Sequence, residues 1–307
     1  MYAPIIVFAY NRPDHLKRTL TALAKNKEAK ESDLFIFIDG PKSDATKEKN
    51  EAVYAVAKQY KTGYFNDVVI KRSKKNKGLA RSVIFGVDEI INQYGKVIVT
   101  EDDAVCSPAY LSFMNGALDY YEDKEQIWSV GGYTVPIKIP EEYPYDVIVT
   151  QRSSSYAWAT WKNRWEKVDW KVEDYKRFRW NICARRGFNK WGTDRASMLD
   201  DQMNGRVNSW AIRFDYAMYK NRMFNILPIY SLIQNIGHDG SGTHSIVDTS
   251  DSDPFAVVLS EDCRAYRFDV APVEDSIKKE YTQFFKVSKR YLIKRYIENL
   301  MYRKEKR

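Results

Sequence analysis

The densest group of chemistry-bearing residues in the chain is Glu101-Asp102-Asp103, which closes the run Val97-Ile98-Val99-Thr100. A β-branched run of that kind marks a buried strand. Side chains alternate along a strand, so Glu101 and Asp103 point to one side and Asp102 to the other. Three carboxylates at the end of a buried strand repel one another and resist desolvation. A divalent cation offsets that charge, and hard oxygen ligands suit Mn²⁺ or Mg²⁺. The competing reading is a solvated acidic turn before a helix start at Ser107-Pro108.

The elements upstream must position this group. Residues 4–10, 34–38, 67–70 and 96–100 read as strands, and residues 15–23, 45–60 and 79–93 as helices. Strands alternating with helices predict βαβ units and a mostly parallel sheet. Ligands of such sheets bind beyond the carboxyl ends of the strands. The turns on that edge carry Asn11-Arg12, Asp39, the basic loop 71–78 and residues 101–103. A cationic loop beside carboxylates suits a diphosphate bridged to a metal, with helix N-termini as further anion sites. A solvated lysine-rich loop is the alternative. The first hundred residues therefore read as a nucleotide-binding α/β half.

Further on, residues 110–121 read as helix and 127–133 as a strand entering a glycine turn. Residues 153–162, followed by Trp165 and Trp170, are expected to wall a pocket, a packed core helix being the alternative. Residues 188–208 read as polar and irregular, holding Asp194, Asp200 and Asp201. Residues 209–223 read as helix, and 225–233 contain a further strand. Residues 235–245 form a Gly-rich loop with His238 and His244, suited to closing over a ligand. From Ser276 the tail reads as one basic helix with Phe285, Leu292, Tyr296 and Leu300 on one side. Such a helix fits an anionic membrane surface, or docks on the body with its basic face in water.

A chain of 307 residues allows one large domain or two smaller ones. Its 22 Tyr and 8 Trp fit a sugar or nucleotide site, although most are expected in the core. Cys106, Cys183 and Cys263 have neither disulfide-framework nor zinc spacing, which favours a reducing compartment. No signal peptide or run of transmembrane length is visible, so the expected place is the cytoplasm, at the inner face of the membrane. Residues 278–307 hold 11 Lys and Arg against 3 Glu and so account for the whole net charge of +8. The body is balanced, and nucleic acid is not an expected partner.

Four stretches in order resemble nucleotide-sugar-dependent glycosyltransferases of the GT-A fold: Val7-Phe8-Ala9-Tyr10-Asn11-Arg12-Pro13, Ile38-Asp39-Gly40, Asn76-Lys77-Gly78-Leu79, and Val99-Thr100-Glu101-Asp102-Asp103. The pattern is similar to bacterial family-2-like transferases and the N-acetylglucosaminyltransferase I group. It continues through residues 158–161, 208–213 and 240–244, so the resemblance covers residues 1–250. It implies an α/β GT-A domain with a Rossmann-like, mostly parallel sheet flanked by helices. Residues 1–107 would bind the nucleotide-sugar, 108–275 the acceptor, and 276–307 would form the basic amphipathic helix.

The resemblance also implies roles. Asp103 would ligate the metal, with Glu101 and Asp102 at the ribose or donor sugar. Asp39 would accept a hydrogen bond from a uracil imide. Tyr10 and Arg12 would line the nucleotide site, Asn76 and Gly78 would lie beside it, and His244 would sit in a lid over the donor phosphates. The implied reaction is inverting transfer from a nucleotide-sugar, a UDP-sugar for choice, to a glycan or lipid-linked acceptor of a bacterial surface polysaccharide. In the relatives the general base is an Asp just before a Trp that opens a helix. Here that place reads Asn208-Ser209-Trp210, and neither Asn208 nor Ser209 is a useful base at neutral pH. Asp200, Asp201 and Asp215 are the nearest carboxylates, and Asp201 is the preferred base. The missing Asp leaves open a non-catalytic protein that binds nucleotide or glycan. A sugar-phosphate nucleotidyltransferase is disfavoured by the glycine-free turn Ala9-Tyr10-Asn11-Arg12.

Overall fold

A computed structural model describes residues 2–240, 253–260, 265–269 and 271–305, with side chains as far as Asn299. The first half follows the expected alternation: β1 (Ile5–Ala9), α1 (Pro13–Leu23), β2 (Leu34–Ile38), α2 (Asp44–Gln59), β3 (Val68–Arg72), α3 (Leu79–Tyr94) and β4 (Lys96–Glu101). β1 and β2 are buried at every position, which is why they read as unbroken apolar runs. Pro13 occupies the first turn of α1, where its missing N–H has no intrahelical acceptor to lose.

Beyond β4 come β5 (Ala104–Cys106), α4 (Tyr110–Tyr121), β6 (Ile127–Gly131), β7 (Val147–Thr150) and β8 (Trp158–Trp161). Three short helices follow: α5 (Lys162–Trp165), α6 (Tyr175–Trp180) and α7 (Ile182–Phe188). Next are α8 (Arg195–Met203), α9 (Trp210–Lys220), β9 (Phe224–Pro228) and β10 (Ile233–Asn235), and the tail forms α10 (Asp275–Phe284) and α11 (Lys289–Glu305).

Eight strands form one sheet in the order β3-β2-β1-β4-β8-β6-β9-β7. The first four pair in parallel; β8 then runs antiparallel between β4 and β6, and β7 closes the far edge antiparallel to β9. β5 and β10 make a separate antiparallel pair with Cys106 opposite Ile233 and Ala104 opposite Asn235. That pair lays the chain after Asn235 across the residues that follow β4.

Three expectations need correction. Residues 158–161 form neither a pocket wall nor a helix but the central strand β8, because Trp158 stacks on Trp165 and Trp210 inside the core shared by β4, α3 and α9. Residues 188–208 are not irregular: α8 occupies 195–203, and its carboxylates Asp200 and Asp201 are buried there because Arg185 and Arg295 pair with them. The tail is not one helix but two, broken around Lys286–Ser288, since α10 buries Ile277 and Tyr281 against the body and turns the chain there. β7 carried no expectation. Among the described residues no helix is long and apolar enough to cross a membrane.

Candidate active site

The carboxyl ends of β1, β2 and β4 meet, and each contributes part of one cluster. Arg12, just past β1, places Nη2 against Asp102 Oδ1 and 2.9 Å from Asp103 Oδ2. The Asp102 carboxylate also receives the Tyr10 backbone N–H, and its carbonyl accepts from buried Thr19 Oγ1 at 2.7 Å. The acidic turn is therefore fixed to the β1–α1 connection by Tyr10 and Arg12 and to α1 by Thr19.

This guanidinium pairs with Asp102 and Asp103 and reaches Glu101 only through its charge. Burial is the largest effect on Glu101 and, with Asp103 and Asp102 beside it, pushes its carboxyl up to about 8; Arg12 opposes. Burial likewise raises Asp102 to about 6, against the pull of Arg12. The guanidinium itself is held charged by Asp102 and Asp103 more strongly than burial disfavours it. The cluster is short of positive charge, and its donors are all oxygens, which fits a hard divalent cation. No group of three His, Cys, Asp or Glu side chains converges as a ready cage among the described residues. The fit is to a cation held by Asp103 and completed by substrate phosphate oxygens and water, as Mg²⁺ commonly is.

Asp39, at the end of β2, is buried and locked. Its Oδ1 accepts from the N–H groups of Gly40 and Lys77, both at 2.9 Å, and its Oδ2 accepts from Gly78 at 2.9 Å and Lys77 at 3.2 Å. Asn76 returns the contact, donating Nδ2 to Gly40 O at 2.9 Å. A carboxylate has about four lone-pair sites, so these bonds use its acceptor capacity. As folded, Asp39 fixes the 76–78 turn. Gly78 there has φ +78°, which a side chain would strain. Tyr10 OH accepts from Lys42 N–H at 3.0 Å and meets Thr46 Oγ1 at 3.3 Å, tying the first turn to the second.

The segment after β10 covers the acidic turn. Ile236 N–H donates to Asp103 O at 2.8 Å, and His15 Nε2 lies 3.1 Å from Ile236 O and 3.2 Å from Asp239. A Cβ on Gly237 would stand 2.2 Å from Asp103 Oδ2, so any side chain there displaces that carboxylate. His244 lies outside the described residues.

Asp201 is not brought to this cluster. It sits on α8 with Oδ2 against Arg295 Nη2 and Oδ1 3.1 Å from Asn299 Nδ2, both from α11. Its neighbours are equally engaged: Asp200 with Arg185 and Tyr175, Asp194 with Arg152, and Asp215 with Arg195 and Ser153. Asn208 is exposed, and its Oδ1 lies 3.5 Å from Arg213 Nη2.

Two groups went unnoticed in the sequence. Asn50 donates Nδ2 to Tyr10 O and to Asp39 O, each at 2.7 Å, joining the ends of β1 and β2. Its signal was available: it shares the buried face of α2 with Val53 and Ala57, where a polar residue calls for a partner. Tyr156 lies near Asp103 and Glu101, which with burial raise its phenol to about 12. Its OH is 3.4 Å from His238 Nε2, and His238 Nδ1 is 2.7 Å from Asp253. Nothing local in sequence joins residues 156, 238 and 253.

Residues 5–130 match the family model described as glycosyl transferase family 2. The match runs from β1 into β6, less than half of the chain, and likens that α/β segment to glycosyltransferases. Arg12, Asp39 and the 101–103 turn fall within the matched segment, and Asp201 and His238 beyond it. Among solved structures, S. aureus TarS 1-349 is similar at 14% identity and a TM-score of 0.44, over 76% of this chain and 60% of that one. An active-site mutant of LgtC gives 12% and 0.34, over 57% of this chain and 64% of that one. UDP-glucose pyrophosphorylase complexed with UDP-glucose gives 12% and 0.37, over 75% and 91%. Likenesses this distant say nothing of substrate or reaction. No curated protein matches the chain in sequence.

Proposed function

We propose that this protein is a metal-dependent, inverting glycosyltransferase that moves a sugar from a nucleotide-sugar, a UDP-sugar for choice, to a glycan or lipid-linked acceptor in bacterial surface polysaccharide synthesis. The observation that carries this reading is the trio Glu101, Asp102 and Asp103 at the carboxyl edge of the sheet, buried at Asp102 and half-buried on either side, with Arg12 paired to both aspartates. Mn²⁺ or Mg²⁺ held by Asp103 would offset the charge gathering on a departing diphosphate. Arg12 keeps Asp102 ionised and in place, and Glu101 and Asp102 face the ribose or donor sugar. The 76–78 turn, clamped by Asp39 and Asn76, forms a rigid edge of the nucleotide site beside Tyr10. The 235–240 segment, which lies over the acidic turn, would cover the donor.

An acceptor hydroxyl attacks the anomeric carbon from the face opposite the diphosphate, which inverts that centre. Asp201 is the base in this reading, and it must first part from Arg295. Residues 278–307 would hold the enzyme at an anionic membrane: Ile293 and Ile297 are exposed on α11 beside Arg290 and Lys294.

The deciding experiment is thermal shift with UDP and GDP, each with Mn²⁺ and with chelator, on the wild type and Asp103→Asn. A ligand that binds only the folded state raises apparent stability. A Mn²⁺-dependent rise that Asp103→Asn abolishes is expected. No response to any nucleotide would overturn the reading. A nucleotide response with no donor turnover would favour the non-catalytic reading, to which the ion-paired state of Asp194, Asp200, Asp201 and Asp215 lends support.

A further inference from the structure

A second polar recess opens between the first turns of α3 and α9. Its volume is about 550 Å³, and Arg81, Arg206 and Arg213 line it together with Gln202 and Asn208; no carboxylate does. Arg206 is balanced by Glu298 at 3.0 Å. Arg81 and Arg213 have no carboxylate partner among the described residues. Arg213 is half-buried and held by carbonyls instead: Nε donates to Ser209 O at 2.9 Å and Nη1 to Trp170 O at 3.0 Å, with the guanidinium over the Trp170 ring. Those contacts fix its plane without neutralising it, and burial lowers its pKa with no carboxylate nearby to raise it. A guanidinium fixed in this way is preorganised for an oxyanion.

The recess has a definite place relative to the candidate active site. Arg81 is three residues past Gly78, whose N–H binds Asp39, so it lies within one helical turn of the clamped loop. Val97 and Val99 pack into the core shared with α3 and α9, and by alternation Glu101 lies on that same face of β4. The recess therefore flanks the donor cleft on its Glu101 side, and Asp201 is next to Gln202 on its rim.

We infer that this recess binds a phosphate group carried by the acceptor, with Arg81 and Arg213 as its ligands. The acceptor is then an anionic phosphoester and not a neutral glycan. This inference rests on the transferase reading for the word acceptor, but the phosphate site stands or falls separately.

The test titrates inorganic phosphate, glycerol 3-phosphate and, as a neutral control, glycerol into the full chain, following the Arg213 Nε–H resonance. UDP with Mn²⁺ is titrated in parallel by calorimetry. Arg81 is exposed and bonded to nothing described, so Arg81→Gln keeps the fold. Saturable binding of both phosphates but not glycerol is expected, weakened about tenfold or more by Arg81→Gln, with UDP affinity unchanged. Equal loss of UDP affinity would overturn the inference, because the arginines would then belong to the donor diphosphate. Phosphate binding that Arg81→Gln leaves untouched, or no binding, would overturn it too. Failure of UDP to bind while phosphate still binds through Arg81 would sink the transferase reading and leave the phosphate site standing.

Discussion

Arg12 lies between Asp102 and Asp103, in contact with both, at the junction of β1 and β4. This pairing explains how an acidic turn survives at a buried sheet edge. Breaking a buried pair by removing one partner costs about 3–5 kcal/mol, because the other charge is left uncompensated. Arg12→Ala should therefore lower unfolding stability by about that amount, measured by denaturant titration without cation. Arg12→Lys should recover only part, since both contacts run through the guanidinium tip Nη2 and an ammonium is more strongly hydrated, so costlier to bury there. A change below about 0.5 kcal/mol for Arg12→Ala would mean that the turn is stable without its cation.

The pH dependence follows from the raised acids. Glu101 titrates near 8 in the folded chain, against an ordinary value near 4.5. Between those values the folded state holds a proton that the unfolded state has lost. Stability without cation should therefore fall as pH rises from about 5 to about 8, and level off above. Asp102, raised to about 6, adds to the same slope at the acid end. Glu101→Gln should flatten the curve, and Mn²⁺ should stabilise the wild type more at pH 8 than at pH 6. Thermal melts across pH check both; a curve that rises over this range contradicts the assigned burial.

Gly237 offers a cleaner probe of the cover over the acidic turn. An alanine Cβ would collide with Asp103 Oδ2 and lie 3.0 Å from Arg12 Nη1, so the carboxylate must move. Gly237→Ala should keep a folded, cooperative protein and weaken Mn²⁺-dependent UDP binding at least tenfold. Calorimetry on the folded variant decides it: unchanged affinity would place the cation away from Asp103.

The parallel half of the fold was legible because β1 and β2 are buried on both faces and say so in every residue. The places of Arg12 and Asp39 just past β1 and β2, and of residues 101–103 at the end of β4, were legible once those strands were read. The second half was not, for a physical reason. There the apolar signal marks which residues are inside but not what they pack against. Trp158 reads equally well as a pocket wall or as a stacked core indole, and β8 is placed by antiparallel pairing with β4, far off in sequence. The aspartates of α8 posed the same difficulty. A buried Asp paired with Arg185 or Arg295 looks, in sequence, like an available base. Asp39 shows the converse, a turn residue whose acceptors serve the backbone.

The role of Asp201 is decided by separating its two duties. In the structure it anchors α11 through Arg295 and Asn299; in the proposed reaction it takes a proton. Asp201→Asn removes the base, and a general base contributes about 10²–10⁴-fold. The expected result is a loss of roughly 100-fold or more in UDP release from UDP-sugars, with UDP affinity unchanged. Arg295→Ala loosens α11 but leaves the carboxylate, so UDP release should be kept or raised. If α11 instead only needs its anchor, both variants will melt earlier by similar amounts and neither will lose turnover. The base is then sought at His238, which Asp253 orients at 2.7 Å and which reaches Tyr156 beside Asp103. His238→Gln should in that case carry the loss that Asp201→Asn did not.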